Sequence, residues 1–299
     1  MRLLCPYHLR MEMEMTSDCL NKLERLRQLL RDTEGCAVAY SGGVDSSLLL
    51  AVASEVLGDR CLAVIATSST YPKREHDAAT KWVTERDIRH SVVVSEELDI
   101  PEFRDNPPNR CYFCKRELFA KVREQADAHA LPHIAHGANA DDVNDFRPGM
   151  RAGTEAGALT PLKDAGLTKE DVRLIAREVY DLPVADKPAM ACLSSRFPYG
   201  SNITREKLRQ VEAVENFLFD HGFRVVRARH HGDLLRLELG PEETQLMQDD
   251  RICAELITFA KRQGFTYVTM DLQGFRSGSM NEALGLGPNH EKEQHNEQS

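Results

Sequence analysis

The segment that decides the fold is CAVAYSGGVDSSLLLAVASEVL, residues 36–57. Its first five residues are an apolar run that predicts a buried strand, and residues 44–57 carry apolar side chains at helical spacing. Gly42 and Gly43 stand between the two patterns. Glycine allows the sharp turn from a strand into a helix, and the backbone N–H groups at such a turn bind anions. The segment therefore predicts the start of a βαβ unit that carries a phosphate-binding loop.

Three more apolar runs follow, at residues 61–66, 88–94 and 132–137, and residues 72–85 have a helical pattern. Strands that alternate with helices predict an α/β fold with a doubly wound parallel sheet. Ligands of such sheets bind at the carboxyl ends of the strands. We therefore expect the functional residues in the loops that follow these four strands.

The pattern changes after residue 203. Residues 204–271 predict the order helix, strand, strand, helix, strand, which is typical of a small α+β domain. The predicted helices cover 204–221 and 241–262, and the predicted strands cover 224–229, 234–239 and 267–271. We expect an N-terminal extension, an α/β domain with the phosphate-binding loop, a linker, an α+β domain and a tail, with the extension and the tail disordered. The extension covers residues 1–15, the first domain 16–186, the linker 187–203, the α+β domain 204–275 and the tail 276–299.

The composition is that of an ordinary globular protein, with 299 residues, 41% apolar and 28% charged. The apolar stretches fall short of the roughly 20 residues of a membrane span, and the first fifteen residues lack the pattern of a secretory signal. A formal charge of −9 gives no global attraction to nucleic acid. Eight cysteines without a signal indicate thiols, metal ligands or catalytic groups rather than disulfides. We expect a cytoplasmic protein that binds neither a membrane nor a nucleic acid.

The glycine loop does not have the spacing of a Walker A motif, so a kinase or GTPase is not indicated. It resembles the SGGxDS loop of the N-type ATP pyrophosphatases, the PP-loop family, which bind the pyrophosphate portion of ATP and transfer AMP. The resemblance implies that ATP is bound by Ser41, Gly42, Gly43, Asp45, Ser46 and Ser47. Among phosphates, Asp45 is expected to be a magnesium or water ligand. The alternative is a plain glycine turn before a helix.

The sequence HGANADD, residues 136–142, follows the fourth predicted strand. The PP-loop family has a G-x-N-x-D-D/E segment at this place that lines the nucleotide site, which implies contacts from Gly137 and Asn139. We expect the carboxylates of Asp141 and Asp142 to hold Mg²⁺ against ATP. The alternative is a turn rich in Asn and Asp that caps the next helix.

Cys111 and Cys114 form a Cys-x-x-Cys motif in NRCYFCKRELF, and Cys192 lies far downstream in ACLSSRFPYG. A single Cys-x-x-Cys is weak evidence for zinc, since a second ligand pair is missing from the sequence. Three cysteines can hold a 4Fe-4S cluster and leave one iron for an exogenous ligand such as sulfide. Catalytic thiols, zinc binding and a redox role remain alternatives.

Five motifs together, SGGVDSS, NRCYFCK, HGANADD, RPGMRA and ACLSSRFPYG, resemble the LarE family of pyridinium-3,5-biscarboxylic acid mononucleotide sulfurtransferases. The resemblance runs over about residues 20–273. It implies that ATP adenylates a carboxylate of the pyridinium mononucleotide, a small-molecule substrate, and that sulfur then displaces AMP. Repeating this on the second carboxylate gives the dithiolated precursor of the nickel-pincer cofactor of lactate racemase.

The resemblance leaves two sulfur donors open. Some members of the family sacrifice the cysteine that corresponds to Cys192, and others use three cysteines and a 4Fe-4S cluster. The presence of Cys111 and Cys114 favours the cluster type. The resemblance also implies a homo-oligomer, specifically a hexamer.

A substrate-phosphate site is expected around the last cysteine and in the second domain. Hydroxyl and guanidinium groups bind phosphate well. The resemblance implies this role for Arg227 and Arg229. The candidates are Ser195, Arg196, Arg227 and Arg229. Arg227 and Arg229 alternate onto one face of a strand, for which a solvated edge is the alternative. Glu215 and Glu238 match acidic family positions linked to metal binding, with surface glutamates as the alternative.

Three other functions fit parts of the pattern. A tRNA thiolase with a cysteine-bound cluster shares the adenylation chemistry, but it should display a basic surface for the RNA backbone. An amidating PP-loop enzyme needs an ammonia source, and a glutaminase domain does not fit beside the ATP domain. A non-enzymatic iron-sulfur or nucleotide-binding module would bind ATP without releasing pyrophosphate.

Overall fold

The computed structural model describes residues 16–144, 148–188, 191–276 and 278–284. Its first part is an α/β unit around a four-stranded parallel sheet. The strands are β1 (Cys36–Ala39), β2 (Cys61–Thr67), β3 (His90–Val94) and β4 (His133–His136). The helices are α1 (Ser17–Arg31), α2 (Val44–Leu57), α3 (Lys73–Glu85), α4 (Pro101–Arg104), α5 (Arg110–Ala128), α6 (Pro148–Glu155), α7 (Pro161–Asp164) and α8 (Lys169–Glu178).

The sheet has the strand order β3-β2-β1-β4, so the chain leaves β1 in one direction and returns to its other side at β4. The register pairs Ala39 at the end of β1 with His136 at the end of β4. A reversal of strand order opens a crevice at the carboxyl ends of the two strands, where open α/β sheets bind ligands. The loops after β1 and β4 lie at this crevice, which confirms the predicted α/β class.

Burial explains the element types. All four residues of β1 are buried, as a central parallel strand with covered faces requires. In α1 the buried side chains are Cys19, Leu23, Leu26 and Leu30, which form one stripe at helical spacing. The side chain of Thr16 accepts a hydrogen bond from the Cys19 N–H and caps this helix.

The second part is an α+β unit with the strand order β5-β6-β7. Its elements are α9 (Arg205–Asp220), β5 (Val226–His231), β6 (Leu234–Leu239), α10 (Glu243–Leu246), α11 (Asp250–Arg262) and β7 (Tyr267–Met270). β5 and β6 are antiparallel, and β6 and β7 are parallel. The predicted order of helices and strands is confirmed, except that one predicted helix is two.

Several predicted element bounds are wrong. The strand expected from residue 224 begins at Val226, because the N–H groups of Arg224 and Val225 donate to the Glu243 carboxylate. The helix expected over 241–262 is interrupted, because Asp249 caps a new helix at its N-terminus. The strand expected from residue 88 begins at His90.

The predicted linker, residues 187–203, packs into a shared core. Leu193 and Phe197 from the linker are buried in one cluster with Phe103 of α4 and Leu208 of α9. This cluster contains side chains from the predicted first domain, the linker and the predicted second domain. The predicted domain division therefore stays a prediction. The predicted disorder of 276–299 does not hold for Ser279–Leu284, which forms a 3-10 turn. The predicted extension and the end of the tail lie outside the described residues.

Candidate functional site

The glycine loop joins β1 to the N-terminus of α2. Gly42 has a φ of 65°, a left-handed conformation that favours glycine, and Gly43 is the N-cap of α2 without a side-chain cap. The Ser46 hydroxyl accepts a hydrogen bond from the Ser41 N–H at 3.3 Å and donates one to the Gly43 carbonyl at 3.1 Å. The loop thus has a fixed shape, and it leaves the first turn of a 14-residue helix without a capping side chain. Such a helix N-terminus is suited to phosphate.

The loop after β4 lies against the glycine loop at Gly137. A Cβ atom at residue 137 would lie 2.8 Å from the Ser46 nitrogen and 2.9 Å from the Asp45 carbonyl carbon. Only glycine permits this approach without a shift of one loop. The structure therefore brings together the two segments that the sequence assigns to the nucleotide.

Asp45 is the centre of a polar network between these loops. One carboxylate oxygen accepts a hydrogen bond from the Asn139 side chain at 3.0 Å, and the other pairs with the Lys169 ammonium group. The Lys169 N–H donates to the Asp141 carboxylate at 2.7 Å. The Asp142 carboxylate accepts the Asn139 N–H at 3.0 Å. The network joins the loop after β1, the loop after β4 and the start of α8.

These carboxylates suit Mg²⁺ by chemistry, because hard cations prefer oxygen ligands. In the structure, however, all three carboxylates already have protein partners. Asp45 contacts Lys169 and Asn139, Asp141 accepts from the Lys169 N–H, and Asp142 accepts from the Asn139 N–H. Within the described ranges, no group of three or more His, Cys, Asp or Glu side chains is arranged to hold a metal ion. The magnesium roles of Asp45, Asp141 and Asp142 stay predictions.

His136 closes β4 at the same crevice. Burial and the nearby Lys115 and Lys163 lower the pKa of His136 to about 4. Its ring packs edge-on against Phe119, with the ring centres 5.3 Å apart. The imidazole is therefore neutral at physiological pH and adds no charge to the crevice.

The three predicted cysteines come from two distant segments. Cys111 and Cys114 lie in the first turns of α5, and Cys192 directly precedes a 3-10 turn, Leu193–Arg196. The pKa of the Cys114 thiol is raised by burial, by Glu97 and by the neighbouring Cys192 and Cys111. Cys111 and Cys192 therefore lie within electrostatic range of Cys114, and their grouping as cluster ligands stays a prediction.

The thiols are soft donors of the kind that iron-sulfur clusters use. The described residues show no assembled metal site, and the two residues that precede Ala191 lie outside them. The donor set therefore fits a 4Fe-4S cluster by its chemistry, whereas the ligand arrangement is not formed. The cluster stays a prediction.

Residues 68–71, the loop after β2, connect the cysteines to the glycine loop. The Tyr71 hydroxyl donates to the Ser41 carbonyl, and the Thr70 carbonyl accepts the Leu193 N–H at 2.8 Å. These two contacts are made by adjacent residues. The loop that follows β1 and the segment that carries Cys192 are thus both held by the loop that follows β2.

Arg196 forms a buried, bidentate ion pair with Glu215 of α9. Its Nε and Nη2 atoms donate to the two carboxylate oxygens, each at 2.8 Å. Its Nη1 atom donates to the carbonyl of Ala191 at 2.9 Å and to the Ser195 hydroxyl at 2.9 Å. The guanidinium is fully engaged, so in this structure it holds the Cys192 segment against α9. Its predicted phosphate contact would require one of these bonds to exchange.

Arg227 and Arg229 are each only 4% exposed, although β5 is an edge strand. Arg229 donates to the Glu238 carboxylate at 2.6 Å and to the Ser195 carbonyl. Burial and the neighbouring Arg196 lower the pKa of Arg227 to about 10, so it stays charged at neutral pH. The alternative of a solvated edge face is therefore wrong, because both side chains are buried, with Arg229 against Ser195 and Arg227 against the Phe275 ring.

Comparison with curated proteins gives relatives that span nearly the whole chain. The chain is 42% identical over 267 residues to an uncharacterized protein of Synechocystis, covering 88% of this chain and 98% of the relative. It is 38% identical over 259 residues to the pyridinium-3,5-bisthiocarboxylic acid mononucleotide synthase of Lactiplantibacillus plantarum, covering 85% of this chain and 92% of the relative. The chain belongs to the LarE family of ATP-dependent sulfurtransferases.

A more distant similarity covers about half of the LarE-family chain. It is 25% identical over 157 residues to one subunit of the glutamine-hydrolysing GMP synthase of Thermoplasma acidophilum, over 48% of this chain and 50% of the relative. Such a match fits the PP-loop fold found here. A search of family models gave no match. None of the helices in the described ranges is long and apolar enough to cross a membrane.

Glu215 and Glu238, the two glutamates for which the family resemblance implies metal binding, are both buried in ion pairs. Glu215 and Glu238 are 2% and 0% exposed, so the alternative of surface glutamates is wrong. Both are committed to arginines, Glu215 to Arg196 and Glu238 to Arg229. Any metal at these carboxylates would compete with buried ion pairs, and their metal role stays a prediction.

Sequence reasoning missed two residues of this LarE-family site. Lys169 had a local signal, since Thr168 and Asp171 form a capping box that fixes Lys169 as the first residue of α8. Glu97 had no such signal. It is 2% exposed and accepts hydrogen bonds from the hydroxyls of Ser68, at 2.7 Å, and Thr70. The motif RPGMRA, residues 147–152, is assigned no role in the site, and its first residue lies outside the described residues.

Proposed function

We propose that this enzyme adenylates the carboxylates of pyridinium-3,5-biscarboxylic acid mononucleotide with ATP and converts them to thiocarboxylates. The product would serve the synthesis of a nickel-pincer nucleotide cofactor. The observation that carries the proposal is the loop of residues 68–71, which contacts both Ser41 and Leu193. These contacts support the proposal, because one loop holds both the glycine loop and the segment that carries Cys192.

The first step forms a mixed anhydride. A carboxylate oxygen of the substrate attacks the α-phosphorus of ATP, the bond to the bridging oxygen breaks, and pyrophosphate leaves. The N-terminus of α2 and the Lys169 ammonium group supply positive charge beside that leaving group. Asp45, Asp141 and Asp142 are the side chains that would hold Mg²⁺, which neutralises phosphate charge when bound.

The second step replaces AMP by sulfur. A sulfur nucleophile attacks the acyl carbon, the bond to the phosphate oxygen breaks, and AMP carries away the electron pair. A carboxylate needs such a leaving group before a sulfur nucleophile can displace its oxygen. Cys111, Cys114 and Cys192 are the residues that would hold a 4Fe-4S cluster, which would supply a bound sulfide as donor. Without it, the Cys192 thiolate would displace AMP to form a thioester. Loss of the Cys192 Cα proton and cleavage of its Cβ–Sγ bond would then release the thiocarboxylate and leave dehydroalanine.

The substrate phosphate is expected at Ser195, Arg196, Arg227 and Arg229. Arg227 and Arg229 support this best, because their buried guanidinium groups lie on one strand face and match the oxygens of a phosphate. We also expect a homo-oligomer, as the family resemblance implies, which light scattering after size exclusion measures directly.

An anaerobic preparation tests the proposal. Pyrophosphate release should depend on the pyridinium mononucleotide, and mass spectrometry should detect the thiocarboxylate. We expect a brown protein that loses its absorbance in Cys111→Ala and makes more than one product per chain with sulfide. Cys253→Ala is the matched control, because its thiol lies on α11 and donates to the Met247 carbonyl.

Two outcomes contradict different parts of the proposal. A colourless anaerobic protein whose Cys192 loses the mass of H₂S after one turnover rules out the cluster and leaves the sacrificial cysteine. Pyrophosphate release with bulk tRNA, and none with the pyridinium mononucleotide, rules out the substrate.

A further inference from the structure

The segment that follows β7 passes over the two buried arginines of β5. We call residues 272–284 the C-terminal strap, of which residue 277 lies outside the described residues. The Phe275 N–H donates to the Leu239 carbonyl at 2.8 Å, which fixes the strap to the end of β6. Arg276 pairs with Asp271 at 3.9 Å and with Glu282 at 3.2 Å. These contacts hold the strap on both sides of Ser279.

Both arginines of β5 contact the strap. The guanidinium carbon of Arg227 lies 4.9 Å from the centre of the Phe275 ring. The Ser279 hydroxyl accepts a hydrogen bond from Nη2 of Arg229 at 3.0 Å. It also lies 3.4 and 3.5 Å from the two oxygens of Glu238. The strap therefore forms one wall of the site that Arg227 and Arg229 line.

Arg196 and Arg229 show what Ser279 changes. Both arginines are buried and each pairs with a glutamate, yet Arg196 is bidentate whereas Arg229 reaches Glu238 through Nη2 alone. The other oxygen of Glu238 accepts from Arg236 at 3.0 Å. The Nε atom of Arg229 is buried and has no hydrogen-bond partner among the described residues. Arg229 thus keeps a donor that Arg196 has given to its carboxylate.

An arginine and a carboxylate close readily into a bidentate pair. Ser279 opposes that closure, because its hydroxyl lies against Nη2 of Arg229 and both oxygens of Glu238. A guanidinium held open in this way can offer Nε to a phosphate oxygen without first breaking a salt bridge. Fixing the side chain beforehand also reduces the entropy lost when the anion binds.

We propose that Ser279 and Phe275 are positioning residues of the substrate-phosphate site, which rests on the proposed function. Ser279 keeps Nε of Arg229 available, and Phe275 orients Arg227. The ligand chemistry is a phosphate monoester, since guanidinium groups are pure donors that match its oxygens.

The test compares the pyridinium-3,5-biscarboxylic acid mononucleotide with the same nucleoside lacking its phosphate. Ser279→Ala should raise the KM for the mononucleotide about tenfold, the effect of one lost bond to a charged group. The kcat, the KM for ATP and the KM for the nucleoside should stay unchanged. Ser279→Thr should restore the KM, and Phe275→Leu should raise it about threefold.

Thr258→Ala is the matched control, because its hydroxyl is exposed and donates only to the Ala254 carbonyl of its own helix. Thermal unfolding of each variant separates a folding defect from a binding defect. A wild-type enzyme that turns over while Ser279→Ala matches Thr258→Ala overturns this inference alone. An equal loss for nucleoside and mononucleotide also overturns it. A wild-type enzyme inert toward the mononucleotide overturns the proposed function and, with it, this inference.

Discussion

Lys169 pairs with Asp45 across 124 residues of sequence, and this contact joins the start of α8 to the phosphate-binding loop. The side chains are 33% and 23% exposed, so neither charge is fully screened by water. The pair places a cation where the pyrophosphate portion of ATP is expected. Lys169 is therefore the first residue to change in a test of adenylation.

Lys169→Met should lower substrate-dependent pyrophosphate release by about 10²-fold, because a charge that stabilises the leaving group is lost. Lys169→Arg, which keeps the charge, should retain most of it. Release is measured with a coupled pyrophosphate assay. Lys22→Met is a suitable control, since Lys22 pairs with Asp171 of the same helix but lies on α1. Normal release by Lys169→Met would contradict the role.

Gly137→Ala should weaken ATP binding at least tenfold and destabilise the fold by about 1–3 kcal/mol, because the added Cβ would lie 2.8 Å from the Ser46 nitrogen. Calorimetric ATP titration and urea unfolding measure the two effects. Gly43→Ala is the contrasting variant. Its nearest neighbour would be the Ser41 hydroxyl at 3.6 Å, so stability should change by less than about 0.5 kcal/mol. Equal unfolding curves for Gly137→Ala and wild type would refute the close approach.

Glu215→Gln should destabilise the protein by about 3 kcal/mol, because it leaves the fully buried guanidinium of Arg196 without a counter-charge. Glu96→Gln removes a partner of the exposed Arg205 and should cost less than about 1 kcal/mol. Urea unfolding at neutral pH measures both. Similar losses in the two variants would mean that burial does not decide the strength of the Arg196 pair.

His136 should make the protein less stable as the pH falls from about 6.5 toward about 4. In this window the unfolded chain binds a proton that the folded chain does not, so protonation favours unfolding. At pH 5 the cost relative to pH 7 is about 2 kcal/mol. His136→Gln should lack this component. The measurement is urea unfolding of both proteins at pH 7 and pH 5, and parallel losses in the two proteins would contradict the depressed pKa.

The local sequence determined most of the fold. Alternating strands and helices, the caps of α1 and α8, and the glycines between β1 and α2 are short-range features that act within a few residues. The sequence predicts element bounds less well where a side chain from another segment binds the backbone N–H groups. The strand at Val226 begins late because Glu243, far along the chain, binds the N–H groups before it.

The sequence by itself also predicts the nucleotide loop, the three cysteines and the arginines of β5 as site residues, from motifs, strand alternation and the family resemblance. Only the tertiary structure decided their partners. It paired Lys169 with Asp45, committed Arg196 to Glu215, and laid Ser279 against Arg229. Burial strengthens the attraction within such ion pairs and hydrogen bonds, because it removes water. Which charges are buried together depends on how distant segments pack.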